Sequence, residues 1–331
     1  MKKNLKTILA LGTAMLVSSS LIACSSKTSN GDTAKKVNFP TKAIQLIVPF
    51  SAGGGTDSVT RALADAATEN FPKPIVVVNK TGGGGSVGTT FGSTSKPDGY
   101  SVTVTCVELT TLPHLGLATF TQEDFTPIMQ VNAEPSAITV KADAPWNTLD
   151  EFINYAKENP GKVKVGNSGV GAIWHLATEA LGKEVGAKFN SVPYDGAAPA
   201  VAALLGGHID AVSVSPPEVY SQVKAGQLKV LGVMSEKRAT SVPEVKTMKE
   251  QGYNVVIGTW RGLAVPKGTP DEAVAILKDG FKKASEKQSF IDFMKKNNLT
   301  IEVLDSTQYK EKIVKDNDFF KKLITDLKLK K

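Results

Sequence analysis

Ile44-Gln45-Leu46-Ile47-Val48-Pro49-Phe50-Ser51-Ala52-Gly53-Gly54-Gly55-Thr56-Asp57 reads as a strand that opens through a glycine loop into a helix. The run from Ile44 to Phe50 is almost wholly apolar, as expected of a strand buried on both faces of a sheet. Val59, Ala62, Leu63 and Ala66 then recur at helical spacing until Phe71-Pro72 stops them. The plan returns at Lys162 to Gly166, which opens into Asn167-Ser168-Gly169-Val170-Gly171 and a helical set of Ile173, Leu176, Ala177, Ala180 and Leu181. A loop of this kind leaves backbone N–H groups bare at the positive end of a helix, which makes a seat for an anion. Two such seats predict one ligand held between two lobes.

Outward from these loops, β-rich runs alternate with helical stretches, the mark of an α/β sheet covered on both faces. Strands are expected at Pro74 to Asn79 and Tyr100 to Thr105, a helix at Thr148 to Glu158, and a strand at Val163 to Val165. Further units follow at Lys188 to Tyr194, Ala198 to Leu205, Ile209 to Val214 and Leu228 to Val233. Val255 to Val265 is strand-like, and a helix-rich tail begins beyond it with Pro270 at a helix start. The chain is expected to cross between lobes near Ile138 to Ala144 and Val256 to Gly262. Lobe 1 would then hold 38–140 with 262–331, the tail helices packing on it, and lobe 2 would hold 141–261.

Lys2, Lys3 and Lys6 precede an apolar stretch, Ile8 to Val17, that is too short for a permanent membrane span and reads as a secretory signal over 1–23. Leu21-Ile22-Ala23-Cys24 resembles a bacterial lipobox, which makes Cys24 the lipidated N-terminus and 24–37 a polar tether. Cys106 is the only other cysteine, so a lipidated chain has no internal disulfide and rests on its core alone. Without the three signal lysines, 36 Lys and Arg face 32 Asp and Glu. That mild excess lies largely in Lys282-Lys283, Lys295-Lys296, Lys321-Lys322 and the C-terminal lysines, a solvated face rather than a nucleic-acid patch. The anchor implies export to the extracytoplasmic side of a bacterial membrane.

The motifs, in order, resemble the substrate-binding proteins of tripartite tricarboxylate transporters. They are Val48 to Asp57, Pro97-Asp98-Gly99-Tyr100, Asp124-Phe125-Thr126-Pro127-Ile128, Gly166 to Gly171 with His175-Leu176-Ala177, Val192 to Gly196, Leu204 to Asp210 and Val265 to Pro270. The resemblance implies a bilobal type II periplasmic-binding-protein fold, two α/β lobes joined by two crossing strands. It implies a di- or tricarboxylate held by loop amides, hydroxyls and waters, then passed to integral membrane transporter subunits by a monomer that needs no cofactor. A ligand-responsive sensor built on the same receptor is the neighbouring alternative.

The candidate ligand set is Ser51, Ala52, Gly53, Gly54, Gly55, Thr56 and Asp57 from the first loop and Asn167, Ser168, Gly169, Val170 and Gly171 from the second. Glu108, His175, Tyr194 and Asp210 join them. Neither loop carries Lys or Arg, so N–H dipoles and the hydroxyls of Ser51, Thr56 and Ser168 would meet the anion. Asp57 falls in the first turn of its helix, where capping competes with ligand contact. Asp210 reads equally as a turn residue, and Trp260 as a hinge or core aromatic. Glu108 in the cleft would repel a trianion and favour an ammonium group or a protonated acid; otherwise it faces solvent or caps a helix. His114, His175 and His208 are too widely spaced for a metal site.

Gly84-Gly85-Ser86-Val87-Gly88 matches a hydrolase elbow, with Asp98 or Asp124 and His175 or His208 as triad partners, yet the strand ends near Asn79, several residues too early. Gly83, Gly85 and Gly88 also match a dinucleotide fingerprint, a weak signal alone. A glycine loop lining the cleft or turning into a helix is the simpler reading, and no catalysis is expected.

Overall fold

The computed structural model describes residues 38–329, so the expected signal, the Cys24 anchor and the tether lie outside the described residues. The opening strand β1 (Ile44–Val48) leads through the first glycine loop into α1 (Gly55–Ala67), then β2 (Ile75–Asn79), α2 (Ser86–Ser93) and β3 (Ser101–Cys106). The seventeen-residue β4 (Phe125–Lys141) follows. Next come α3 (Leu149–Glu158), β5 (Lys164–Asn167), α4 (Ile173–Val185), β6 (Asn190–Pro193), α5 (Ala197–Leu205), β7 (Ala211–Val214), α6 (Pro216–Lys224) and β8 (Leu228–Met234). The chain returns in β9 (Gly258–Pro266) and ends in α7 (Asp271–Ser285), α8 (Gln288–Lys296) and α9 (Ser306–Asp326). No helix among the described residues is long and apolar enough to cross a membrane.

The strands run β2-β1-β3-β9-β4-β7-β5-β6, with β8 added to β4. In the first half β1 lies between parallel neighbours β2 and β3; in the second β5 lies between parallel neighbours β6 and β7. Each glycine loop therefore leaves the central strand of its set, where the next two strands go to opposite sides. Such switch points open a crevice at the carboxyl ends of the strands.

β4 and β9 carry the chain between the halves. Phe125 to Pro135 pairs antiparallel with β9, and from Ser136 onward β4 pairs with β7 and β8. The handover falls at Pro135–Ser136, just before the stretch where the sequence places it. Pro127 sits at a bulge, where a missing N–H is tolerated.

Two apolar cores match the two halves. One joins β1 and β3 to α1, α7 and α8 through Leu46, Val104, Leu63, Leu277, Phe281 and Phe290. The other fills the second half with Phe152, Leu176, Leu204 and Val212 and reaches into the first through Leu109, Leu112 and Phe125. The tail is not confined to the first lobe. Tyr309, Ile313, Phe320 and Ile324 of α9 join the second core, while the Ser306 hydroxyl donates to the carbonyl of Pro127. This amphipathic helix thus buries its apolar stripe across both halves. Trp260 is a core aromatic, 2 % exposed, with its ring edge on Tyr309 and its Nε1 donating to Asp316 at 2.7 Å.

Candidate functional site

A small cavity of about 20 Å³ lies between the two glycine loops, bounded by Gly54, Gly55 and Thr56 on one side and Ser168, Ile173 and Trp174 on the other. That is room for about one water, so the two halves must part to admit a ligand. The two halves meet through the backbone beside each loop. The Ser51 N–H donates to the Asp195 carbonyl at 3.0 Å, and a Cβ on Gly169 would stand 2.6 Å from Gly84 Cα. Gly169 has φ +124° and Gly84 has φ +64°, so both also need the conformational freedom of glycine. The Gly82–Gly85 run is thus a packing surface against the second loop.

The first loop is braced from within. Asp57, 3 % exposed, accepts from the Gly53 N–H, Arg61 Nε and Asn79 Nδ2, each at 2.9 Å. Burial alone would raise its carboxyl, but the hydrogen bonds from Arg61, Gly53 and Asn79 outweigh that and hold it below the usual range. Asp57 therefore positions the loop and is saturated by it. In the second loop Asn167 Oδ1 accepts from the Gly169 N–H at 3.0 Å, and His175 Nδ1 accepts from the Gly171 N–H at 3.1 Å. Burial lowers the His175 pKa, so the ring is neutral with its proton on Nε2, 3.6 Å from Glu179.

The two anion seats are already occupied, each by a glutamate from across the cleft. Glu218, the third residue of α6, accepts from the Gly55 N–H at 3.1 Å through Oε1 while Oε2 accepts from the Ser215 N–H and hydroxyl. Glu108, in the turn after β3, accepts from the Ile173 N–H at 2.8 Å, the first residue of α4. Glu108 is 3 % exposed and lines the cavity, so it both caps a helix and faces the cleft. Burial pushes its carboxyl up to about 7 against the lowering pull of the Ile173 amide and Arg261. Its second oxygen, Oε2, is enclosed and has no hydrogen-bond partner.

The cleft also holds a guanidinium, which sequence reading excluded by looking only at the loops. Arg261 of β9 is 2 % exposed; its Nε donates to Thr56 Oγ1 at 3.0 Å and its Nη1 to Asn132 Oδ1 at 2.6 Å. Nη2 stands 3.6 Å from Glu218, an ion pair without a hydrogen bond. Asn132 and Glu134 alternate along β4 on one face, and Glu134 accepts from Asn132 and from the Thr300 N–H, which fixes the amide that orients Arg261. Two signals pointed here: a lone Arg inside the apolar run Trp260 to Val265, and the capping sequence Ser215-Pro216-Pro217-Glu218.

Of the expected ligand set, Gly54, Gly55, Thr56, Glu108 and Ser168 line the cavity. Ser51 has a buried hydroxyl without a partner, wedged against Gly196; Ala52, Gly53 and Val170 are exposed. Asn167, Gly169, Gly171 and His175 shape the loop from behind. Tyr194 is half-buried beside Gly166. Asp210 accepts from the Lys164 N–H at 2.7 Å at the opposite end of β5, so the turn reading holds and its side chain is away from the cleft. The hydrolase alternative has no triad. Asp98 accepts from the Tyr100 N–H and pairs with Lys42, Asp124 caps Thr121, and His175 is committed to Gly171.

A crevice at paired switch points, closed by two lobes over a small polar cavity, defines a solute-binding receptor of the periplasmic-binding-protein type. A family model described as the tripartite tricarboxylate transporter family receptor matches residues 59–329. The chain belongs to that family, whose members are receptors and not enzymes. A Cupriavidus necator protein of the gbd 5' region is 34% identical over 277 residues, covering 83% of this chain and 84% of its own. A solved TctC solute-binding protein from Polaromonas is 44% identical with a TM-score of 0.65, covering 87% of this chain and 99% of its own. The solved periplasmic binding protein BugD is 31% identical with a TM-score of 0.84, covering 88% and 99%.

Proposed function

We propose that this receptor captures a small organic acid in the interlobe cleft and delivers it to integral membrane transporter subunits. One observation carries the reading: Arg261 presents five N–H donors to a closed cavity and commits only two of them to hydrogen bonds. The remaining donors, with the unpartnered hydroxyl of Ser168, suit a carboxylate. Hydrogen bonds to charged groups contribute about 1.5–3 kcal/mol each, so a handful outweigh an association cost of roughly 4–15 kcal/mol. Micromolar affinity, about −8 kcal/mol, lies within the span these terms allow.

The receptor works as a monomer outside the cytoplasm, held to the membrane by a lipid on Cys24, and its lobes turn about the β4 and β9 crossings. Calorimetry with a series of organic acids, guided by mass spectrometry of any copurifying small molecule, tests the ligand class. Micromolar binding of at least one carboxylate is expected; no heat and no rise in melting temperature with any acid would refute it. Fractionation of cells expressing Cys24→Ala tests the anchor, and release from the membrane is the expected result.

A further inference from the structure

Resting on the carboxylate reading above, we propose that the cleft selects an acid that also carries an ammonium group, with the ammonium seated against Glu108 Oε2. Three observations converge on that atom. Oε2 is buried in the cavity wall and receives no hydrogen bond, whereas Oε1 is held by the Ile173 amide. A buried acceptor left without a donor is costly, so a ligand that supplies one gains from the encounter. An ammonium supplies three donors and a positive charge; a carboxylate supplies no donor and a charge of the wrong sign.

The charge balance agrees. Glu108 and Glu218 face a single guanidinium, Arg261, in the wall of the same small cavity. A dicarboxylate would add two negative charges to a cavity already in deficit, while a zwitterion adds none. The helix ends do not relieve this, because the Gly55 and Ile173 amides are bonded to the two glutamates. Arg261 and Ser168 remain for one carboxylate, and Glu108 for the opposite pole.

The experiment is isothermal calorimetry of the mature protein with matched sets: propionate, lactate and alanine; succinate, malate and aspartate; glutarate and glutamate. The amino member of at least one set should bind tenfold or more tightly than its unsubstituted and hydroxy partners. Glu108→Gln, which keeps an oxygen for the Ile173 amide, should remove that preference. Burial holds the empty-site Glu108 carboxyl near 7, so an arriving ammonium drives its proton off and a plain acid draws one on. The groups facing Glu108 are Glu218 of α6, Arg261 of β9, the Ile173 amide of α4 and the Cys106 thiol, which burial keeps protonated. Repeating the wild-type titration in buffers of different ionisation enthalpy should show proton release, a readout that survives even if the variant does not fold. Plain acids binding as tightly as their amino partners, or with proton uptake, would overturn the ammonium seat and leave the carboxylate receptor standing. Silence from every member of the panel would remove both.

Discussion

Glu218 on α6 accepts the backbone N–H of Gly55 at 3.1 Å, across 163 residues of chain, and so ties the second half of the molecule to the start of α1 in the first. Glu108 makes the reciprocal tie to Ile173. Each loop thus carries a protein carboxylate where a free anion would otherwise sit, and the pair clasps the cleft shut. Replacing Glu218 by Ala removes the clasp on Gly55 and the capping box of α6, a cap loss of about 1 kcal/mol. The unliganded variant should shift toward an open form, read as a larger radius of gyration by X-ray scattering. An unchanged scattering profile would show that the clasp does not set the lobe equilibrium.

Arg261 holds together Thr56, Asn132 and Glu218, which come from α1, β4 and α6. Removing one partner of a buried charged network leaves the others uncompensated, at a cost of about 3–5 kcal/mol. Arg261→Met should lose stability of that order in urea unfolding. Arg261→Lys should recover little of it, since one ammonium cannot reach both Thr56 and Asn132 in the guanidinium's fork. Full rescue by Lys would mean that charge alone matters at this position.

Gly54 and Gly169 differ although each lies in a glycine loop. Gly54 has φ −78° and a Cβ there would meet nothing closer than 3.6 Å, an ordinary contact. Gly169→Ala would place a methyl 2.6 Å from Gly84 Cα at a disfavoured φ. Gly54→Ala should bind ligand within about threefold of wild type, and Gly169→Ala should lose at least about tenfold, roughly 1.4 kcal/mol, because its loop cannot meet the Gly82–Gly85 run. Equal affinities in calorimetry would contradict the close approach.

The two central strands and both glycine loops were legible because a buried parallel strand is a continuous apolar run and its loop needs glycine. β4 was not. Pro127 and Pro135 are unfavourable inside a strand, and Gln130, Asn132 and Glu134 are residue types that rarely go inside, yet Gln130 and Asn132 are fully buried and Glu134 nearly so. Their burial makes sense only once Arg261, Thr300 and Glu302, far away in sequence, supply hydrogen-bond partners. Glu218 was hidden for a related reason. Its local pattern announces a helix cap, and only the closed tertiary arrangement brings its other oxygen to Gly55. Asp210 shows the converse: a carboxylate beside a strand drew attention, but sequence spacing does not say which end of the sheet it occupies.

Glu108 should also mark the pH dependence of stability. An unfolded glutamate titrates near 4.3, whereas burial raises the folded carboxyl to about 7. The folded chain binds this proton more tightly, so the stability that protonated Glu108 contributes is fully present below about pH 4 and is lost as pH rises through 7. Glu108→Gln has no proton to lose at that site. Urea unfolding of both proteins at pH 4.5 and pH 8 should show wild type falling relative to the variant by on the order of 3 kcal/mol as pH rises. Using the difference between the proteins cancels the titration of every group they share. A constant gap across that range would mean that Glu108 is ionised throughout, with Arg261 or the Ile173 amide compensating its burial.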